Sequence, residues 1–217
     1  MRRHAKGALA LTVEARIADP SQGEHDTCTL EVPDECYCSS FVEGASEFAK
    51  EGRLDSTYAS FLGFDVRRLQ RDFGTYVDDL RDMGSASRVR QVGYRDCVFW
   101  LVDDGTYVGQ SSIRPELGTP YLITYGGHIG YSIRPSHRQR GYGRRILQLT
   151  LERCREFGLE RALVTCDEDN TPSRRIIEAN GGDFESGMLM DDIAARAEGR
   201  AGERVRKLRY WFELPTA

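Results

Sequence analysis

Between Gly126 and Gly143 the chain reads Gly-Gly-His-Ile-Gly-Tyr-Ser-Ile-Arg-Pro-Ser-His-Arg-Gln-Arg-Gly-Tyr-Gly, and few folds accommodate such a run. His128 to Ile133 carries aromatic and β-branched residues suited to a strand. Pro135 stops that strand, because proline has no N–H for a sheet ladder and biases Arg134 toward extended backbone. A loop with Arg138, Arg140, Gly141 and Gly143 follows. Arg144 to Phe157 then places Leu147, Leu151 and Cys154 on one helical face. Strand, basic glycine loop and helix start together make an anion cradle: glycines let backbone N–H groups approach, the helix start supplies unpaired donors, and arginines add charge. The natural ligand of such a cradle is a pyrophosphate.

Two common pyrophosphate loops are excluded. A Walker A loop ends in lysine, and no lysine lies between Lys50 and Lys207. The dinucleotide fingerprint needs a third glycine after Gly141 and Gly143, where Arg145 and Ile146 stand instead. Arg138-Gln139-Arg140-Gly141-Tyr142-Gly143 does match [Gln/Arg]-x-x-Gly-x-[Gly/Ala], and so resembles motif A of the GNAT N-acetyltransferase superfamily, which holds the pyrophosphate of acetyl-CoA.

The downstream order extends the resemblance over about residues 97–214. Arg161 to Asp167 reads as a buried strand entered after Gly158, a helix C-cap. Asn170-Thr171-Pro172-Ser173 opens another helix, which ends at Asn180-Gly181-Gly182. The wording of these segments, with Arg-Tyr-Trp-Phe near the end, looks like a little-characterised bacterial branch of that superfamily. The resemblance implies an α/β (α+β) class domain: one mixed, mostly antiparallel sheet with helices on both faces.

Taken in order, residues 1–26 read as an N-terminal extension with a turn-rich patch at Asp19-Pro20-Ser21-Gln22-Gly23, and residues 27–217 as the domain proper. The first residues imitate a signal peptide, but Glu14 and Arg16 cut the apolar stretch short, which points to the cytoplasm. Thr29 to Val32 is a short strand, and Ser39 to Glu51 and Asp65 to Met83 are amphipathic helices. Cys97 to Val102 and Tyr107 to Ile113 flank an Asp-Gly turn and form a hairpin. Asp191 to Glu203 reads as a mobile loop or short helix. Val205 to Leu214 alternates, with Leu208, Tyr210, Phe212 and Leu214 on one face.

Charge and cysteines bound the partners. A net charge of −4, from 30 basic and 34 acidic residues, argues against nucleic acid despite the arginine cluster. No apolar run approaches the ~20 residues of a membrane span. The six cysteines form no Cys-x-x-Cys pair and read as reduced, structural residues; no metal site is expected at Cys28, Cys36 and Cys38, since no histidine pair completes one.

The resemblance implies acetyl transfer from acetyl-CoA to a primary amine of a small molecule or peptide, with a homodimer allowed. Backbone N–H groups across Arg138, Gln139, Arg140, Gly141, Tyr142, Gly143 and Arg144 should take the pyrophosphate. Ile133 and Arg134 should pair with the pantetheine arm at a strand bulge. Asn170 stands where the family's amide reaches the cofactor, or is simply a helix cap, with Ser173 beside it. The family's usual glutamate is absent from Gly126, Gly127 and His128, which leaves His128 as base, or Glu116 as runner-up. His128 also has a plain structural reading, an imidazole bonded to the sheet. The usual phenolic acid is missing too, since Ile177 stands seven residues after Asn170. These gaps keep a non-catalytic acyl-CoA-binding module open as an alternative.

Overall fold

The structure, a computed structural model, describes residues 27–215. Seven strands form one sheet: β1 (Thr29–Glu31), β2 (Cys97–Asp103), β3 (Thr106–Ile113), β4 (Ile129–Ile133), β5 (Arg161–Asp167), β6 (Asp183–Leu189) and β7 (Arg206–Glu213). Their order is β1-β2-β3-β4-β5-β7-β6, and every pairing is antiparallel except β4 with β5. The hairpin turn between β2 and β3 is made by Asp104 and Gly105, both at positive φ (45° and 70°), as the Asp-Gly signal requires.

Helices cover both faces. α1 (Cys38–Lys50), α2 (Val66–Arg71) and α3 (Phe73–Met83) pack on one side of β2 and β3, where Phe41 stacks on Trp100 at 4.6 Å and meets Tyr107 at 4.8 Å. A seven-residue helix, α4 (Ala86–Val92), leads into β2. On the other side α5 (Tyr142–Glu156) buries Ile146, Leu147, Leu151 and Cys154, and α6 (Thr171–Ala179) buries Ile177. The mixed sheet with helices on both faces is the architecture expected.

Three elements bear comparison with the sequence reading, and the first and last of them differ from it. The helix expected over Asp65–Met83 is broken at Asp72, whose backbone leaves the helical region (φ −123°, ψ 39°) while its carboxylate pairs with Arg68 and Arg71. Asp191 to Glu203, read as a mobile loop or short helix, contains a short helix, α7 (Asp192–Ala197), capped by Asp191 accepting the Ala194 N–H at 2.8 Å. β6 escaped detection because it lacks alternation: it is an edge strand, largely exposed, with Gly187 inside it and a register shift between Phe184 and Ser186. The expected extension, residues 1–26, lies outside the described residues.

Candidate active site

β4 sits where the sheet opens. It pairs with β3 from Gly109↔Ile133 to Ile113↔Ile129 without a register shift, so the strand bulge expected there is absent from this ladder. Its pairing with β5 holds at one position, Ile129↔Val164. Arg114 N–H donates to the His128 carbonyl and Arg134 N–H to the Val108 carbonyl, which sets the phase of the ladder. Even-numbered residues of β4 therefore face β3, and the backbone groups of Tyr131 and Ile133 face the gap where β5 diverges. A gap beside a strand that has lost its neighbour is a template for an extended amide chain.

His128 pins the closed end of this gap. Its N–H donates to the Leu163 carbonyl at 2.8 Å, and its Nδ1 accepts the Leu163 N–H at 2.9 Å. The imidazole thus supplies the acceptor that a regular ladder would have offered. Burial, with Arg114 and Arg161 nearby, lowers its pKa from 6.5 to about 4. Accepting at Nδ1 puts the ring proton on Nε2 and uses the lone pair a base would need. Gly127 precedes it at φ 71°, and a Cβ there would lie 2.6 Å from the Leu163 carbonyl oxygen.

Past β4 the chain makes a helical turn over Pro135–His137. Gln139 (φ 61°) and Gly141 (φ 88°) then adopt left-handed backbone, which swings the chain into α5. Arg144 and Arg145 N–H groups return to the Gly141 carbonyl, which places the first turn of α5 at the loop. This is the anion-binding end of a helix. Gly143 serves packing instead: a Cβ there would stand 2.5 Å from Ile176 Cδ1 on α6. Tyr142 turns its ring into the core and donates its hydroxyl to Asp103 at 2.6 Å, so only its backbone faces the loop.

The loop's arginines are partly spent on scaffolding. Glu43 and Glu47 on α1 and Glu51 at its C-cap recur every four residues and form one acidic stripe. Arg134, buried, meets Glu47 at 2.7 Å and Glu43 at 3.2 Å, and Ser136 N–H donates to Glu47. Arg138 makes a two-point pair with Glu51 (2.9 and 2.8 Å), and its Nε donates to the Ile133 carbonyl at 3.1 Å. Gly44 lets this stripe approach, since a Cβ there would lie 3.0 Å from the Tyr107 ring.

A cavity of about 570 Å³ opens from the gap. Tyr131, Cys166, Asp167, Asn170 and Ser173 line its side toward α6. Asn170 accepts the Ser173 N–H through Oδ1 at 3.2 Å, the helix-cap role, which leaves its amide NH2 for the cavity. The Tyr131 hydroxyl is buried with no hydrogen-bond partner; burial raises its pKa, and Ser173 close by lowers it. The opposite wall holds Tyr58, Asp96 and Arg114. Arg114 Nε donates to Asp96 at 3.2 Å, and Tyr58 donates to Asp96 at 2.7 Å while its oxygen accepts from the Ser112 hydroxyl at 2.9 Å. Tyr58 carries this network at a strained left-handed φ of 63°.

Neither His128 nor Glu116 is among the cavity's lining residues, and Glu116 pairs with Arg95 at 3.1 Å. The sequence reading missed Tyr131, Tyr58, Asp96 and Arg114. Only Tyr131 left a signal there, as the outsized residue of the strand ahead of the loop. All six cysteines are free, and among the described residues no group of three His, Cys, Asp or Glu could hold a metal ion.

A family model described as an acetyltransferase (GNAT) domain matches residues 64–183, more than half the chain. The solved structure of RimL, a ribosomal L7/L12 alpha-N-protein acetyltransferase in complex with coenzyme A, superposes with a TM-score of 0.57 at 17% identity, over 87% of this chain and 95% of that one. The microcin C7 self immunity acetyltransferase MccE, in complex with acetyl-CoA and AMP, gives 0.57 at 14% identity, over 87% and 93%. The acetyl transferase from Salmonella typhimurium that modifies the N-terminal serine of ribosomal protein L7/L12 gives 0.55 at 17%, over 88% and 96%. At these identities the likeness is one of fold. No curated protein matches the sequence.

Proposed function

Because the chain belongs to the GNAT acetyltransferase family, we propose that it transfers the acetyl group of acetyl-CoA to a primary amine, on a small molecule or a peptide, in the cytoplasm. The observation that carries this reading is the single-position contact of β4 with β5. It leaves a slot between the two strands, running from the α5 N-terminus to the cavity, that β5 does not fill.

The residues present fit acetyl-CoA. Backbone N–H groups of the loop between Arg138 and Arg144, whose own N–H groups are bonded to Pro135 and Gly141, would hold its pyrophosphate, Tyr131 and Ile133 would offer strand groups to its pantetheine amides, and the Asn170 amide would donate across the slot. The Ile133 carbonyl is engaged by Arg138 in this structure, so binding there requires that side chain to move. When bound, acetyl-CoA supplies an acetyl thioester. Acyl transfer then asks two things of the protein: a place for the amine proton and a proton for the departing sulfur. Tyr131, whose buried hydroxyl has no other partner and whose raised pKa keeps it protonated at neutral pH, is assigned as proton donor, with Ser173 beside it. The amine proton is assigned to water held against Asp96, the buried carboxylate on the cavity wall.

Calorimetric titration of CoA tests the donor half. Gly141→Val forces a β-branched residue into left-handed backbone and should abolish measurable CoA binding while the unfolding midpoint shows a folded protein. Unchanged CoA affinity in a folded variant would remove the loop from the site.

A further inference from the structure

Resting on the transferase reading, we infer that the acceptor is a primary amine borne on an aromatic body. Six aromatic residues line the cavity: Tyr58, Phe61, Tyr94, Tyr121, Tyr125 and Tyr131. Three of the hydroxyls are engaged in the scaffold. Tyr58 donates to Asp96 and accepts from Ser112, Tyr121 donates to Glu198 at 2.5 Å, and Tyr125 accepts the Asp191 N–H at 3.3 Å. With their polar ends tied, these residues offer the cavity ring surface. Phe61 is 66% exposed at the same cavity, a large apolar side chain left uncovered.

The charges on the wall cancel. Asp96 is paired with Arg114 at 3.2 Å, and Asp167 with Lys207 at 2.7 Å and Arg200 at 2.6 Å; Lys207 also meets Glu198 at 2.9 Å. A polyamine needs a spare carboxylate for its second ammonium, and an acidic or phosphorylated amine needs a spare cation. Drawing either from these pairs would strand a buried partner, which is costly. An amine with one ammonium and an apolar ring requires neither. Ring faces attract its cation on entry, and water at the cavity wall takes the proton that leaves the neutral amine to attack. The cavity, about 570 Å³, is of a size for a small molecule or one terminal residue of a peptide.

The test measures binding and turnover separately. Phenethylamine, n-butylamine and spermidine are titrated calorimetrically into CoA-loaded protein, and a tripeptide with N-terminal phenylalanine is added as a further arm. CoA release from acetyl-CoA is followed with each. Phenethylamine should bind about tenfold tighter than butylamine, with spermidine no tighter than butylamine. Phe61→Ala, at an exposed position, should shrink that gap to about threefold with CoA affinity unchanged. The tripeptide's rate tells a free amine from a chain terminus, and a ring preference in either supports the inference. Ring-selective binding without CoA release from any amine supports the aromatic site and sinks the transferase reading. Turnover that favours spermidine or the plain alkylamine overturns the aromatic acceptor and leaves the transferase standing.

Discussion

Replacing His128 with glutamine separates an anchor from a base. The imidazole closes the β4–β5 junction through Leu163, and burial lowers its pKa from 6.5 to about 4. A group whose folded pKa is depressed takes up protons on unfolding between the two values. Its stabilising share is therefore complete above pH 6.5 and is lost as pH falls toward 4. That lowering corresponds to at most about 3 kcal/mol at ~1.4 kcal/mol per pH unit, and the ring's partial exposure reduces this to roughly 1–2 kcal/mol. About 1 kcal/mol of it should be gone at pH 5. Urea unfolding of wild type and His128→Gln at pH 7 and pH 5 isolates the term, since all other groups titrate alike in both. Wild type should lose about 1 kcal/mol more than the variant over that interval. Parallel losses would refute the neutral buried anchor. So would an acid limb of the rate near pH 6.5 that vanishes in the variant while CoA affinity holds, and that result would make His128 the base.

Two further substitutions probe the same junction. Gly127→Ala places a Cβ 2.6 Å from the Leu163 carbonyl oxygen at a φ of 71°, and should cost about 3 kcal/mol or more, read as a fall in Tm of roughly 6–12 °C; a Tm within a degree or two of wild type would contradict the close approach. Tyr131→Phe removes a buried hydroxyl that has no partner, so stability should hold or rise by up to about 1 kcal/mol while kcat falls ~100-fold. Wild-type kcat in that variant would take the phenol out of the reaction.

The parts legible in the sequence were those whose signal is contiguous. Gly126 to Gly143 showed strand, loop and helix because proline, glycine and arginine fall in order within one stretch, and β7 showed its face through the alternation of Leu208, Tyr210 and Phe212. What stayed hidden depends on partners far along the chain. Tyr58, Asp96, Ser112 and Arg114 meet only after the sheet forms. Arg134 reads as a partner of the pantetheine arm and Arg138 as part of the pyrophosphate loop, yet Glu43, Glu47 and Glu51 lie against their side chains. β6 forms because β7 offers an edge to pair with, not because its own residues alternate. The gap itself is a property of two strands diverging after one shared position, which no local pattern encodes.

Amine-dependent release of the CoA thiol from acetyl-CoA bears most directly on the central claim. With phenethylamine as acceptor, thiol should appear at a rate that saturates with both substrates, and the amine should gain one acetyl group per thiol released. Saturable CoA binding with no thiol release above the amine-free rate, for every acceptor including the tripeptide, would contradict a transferase.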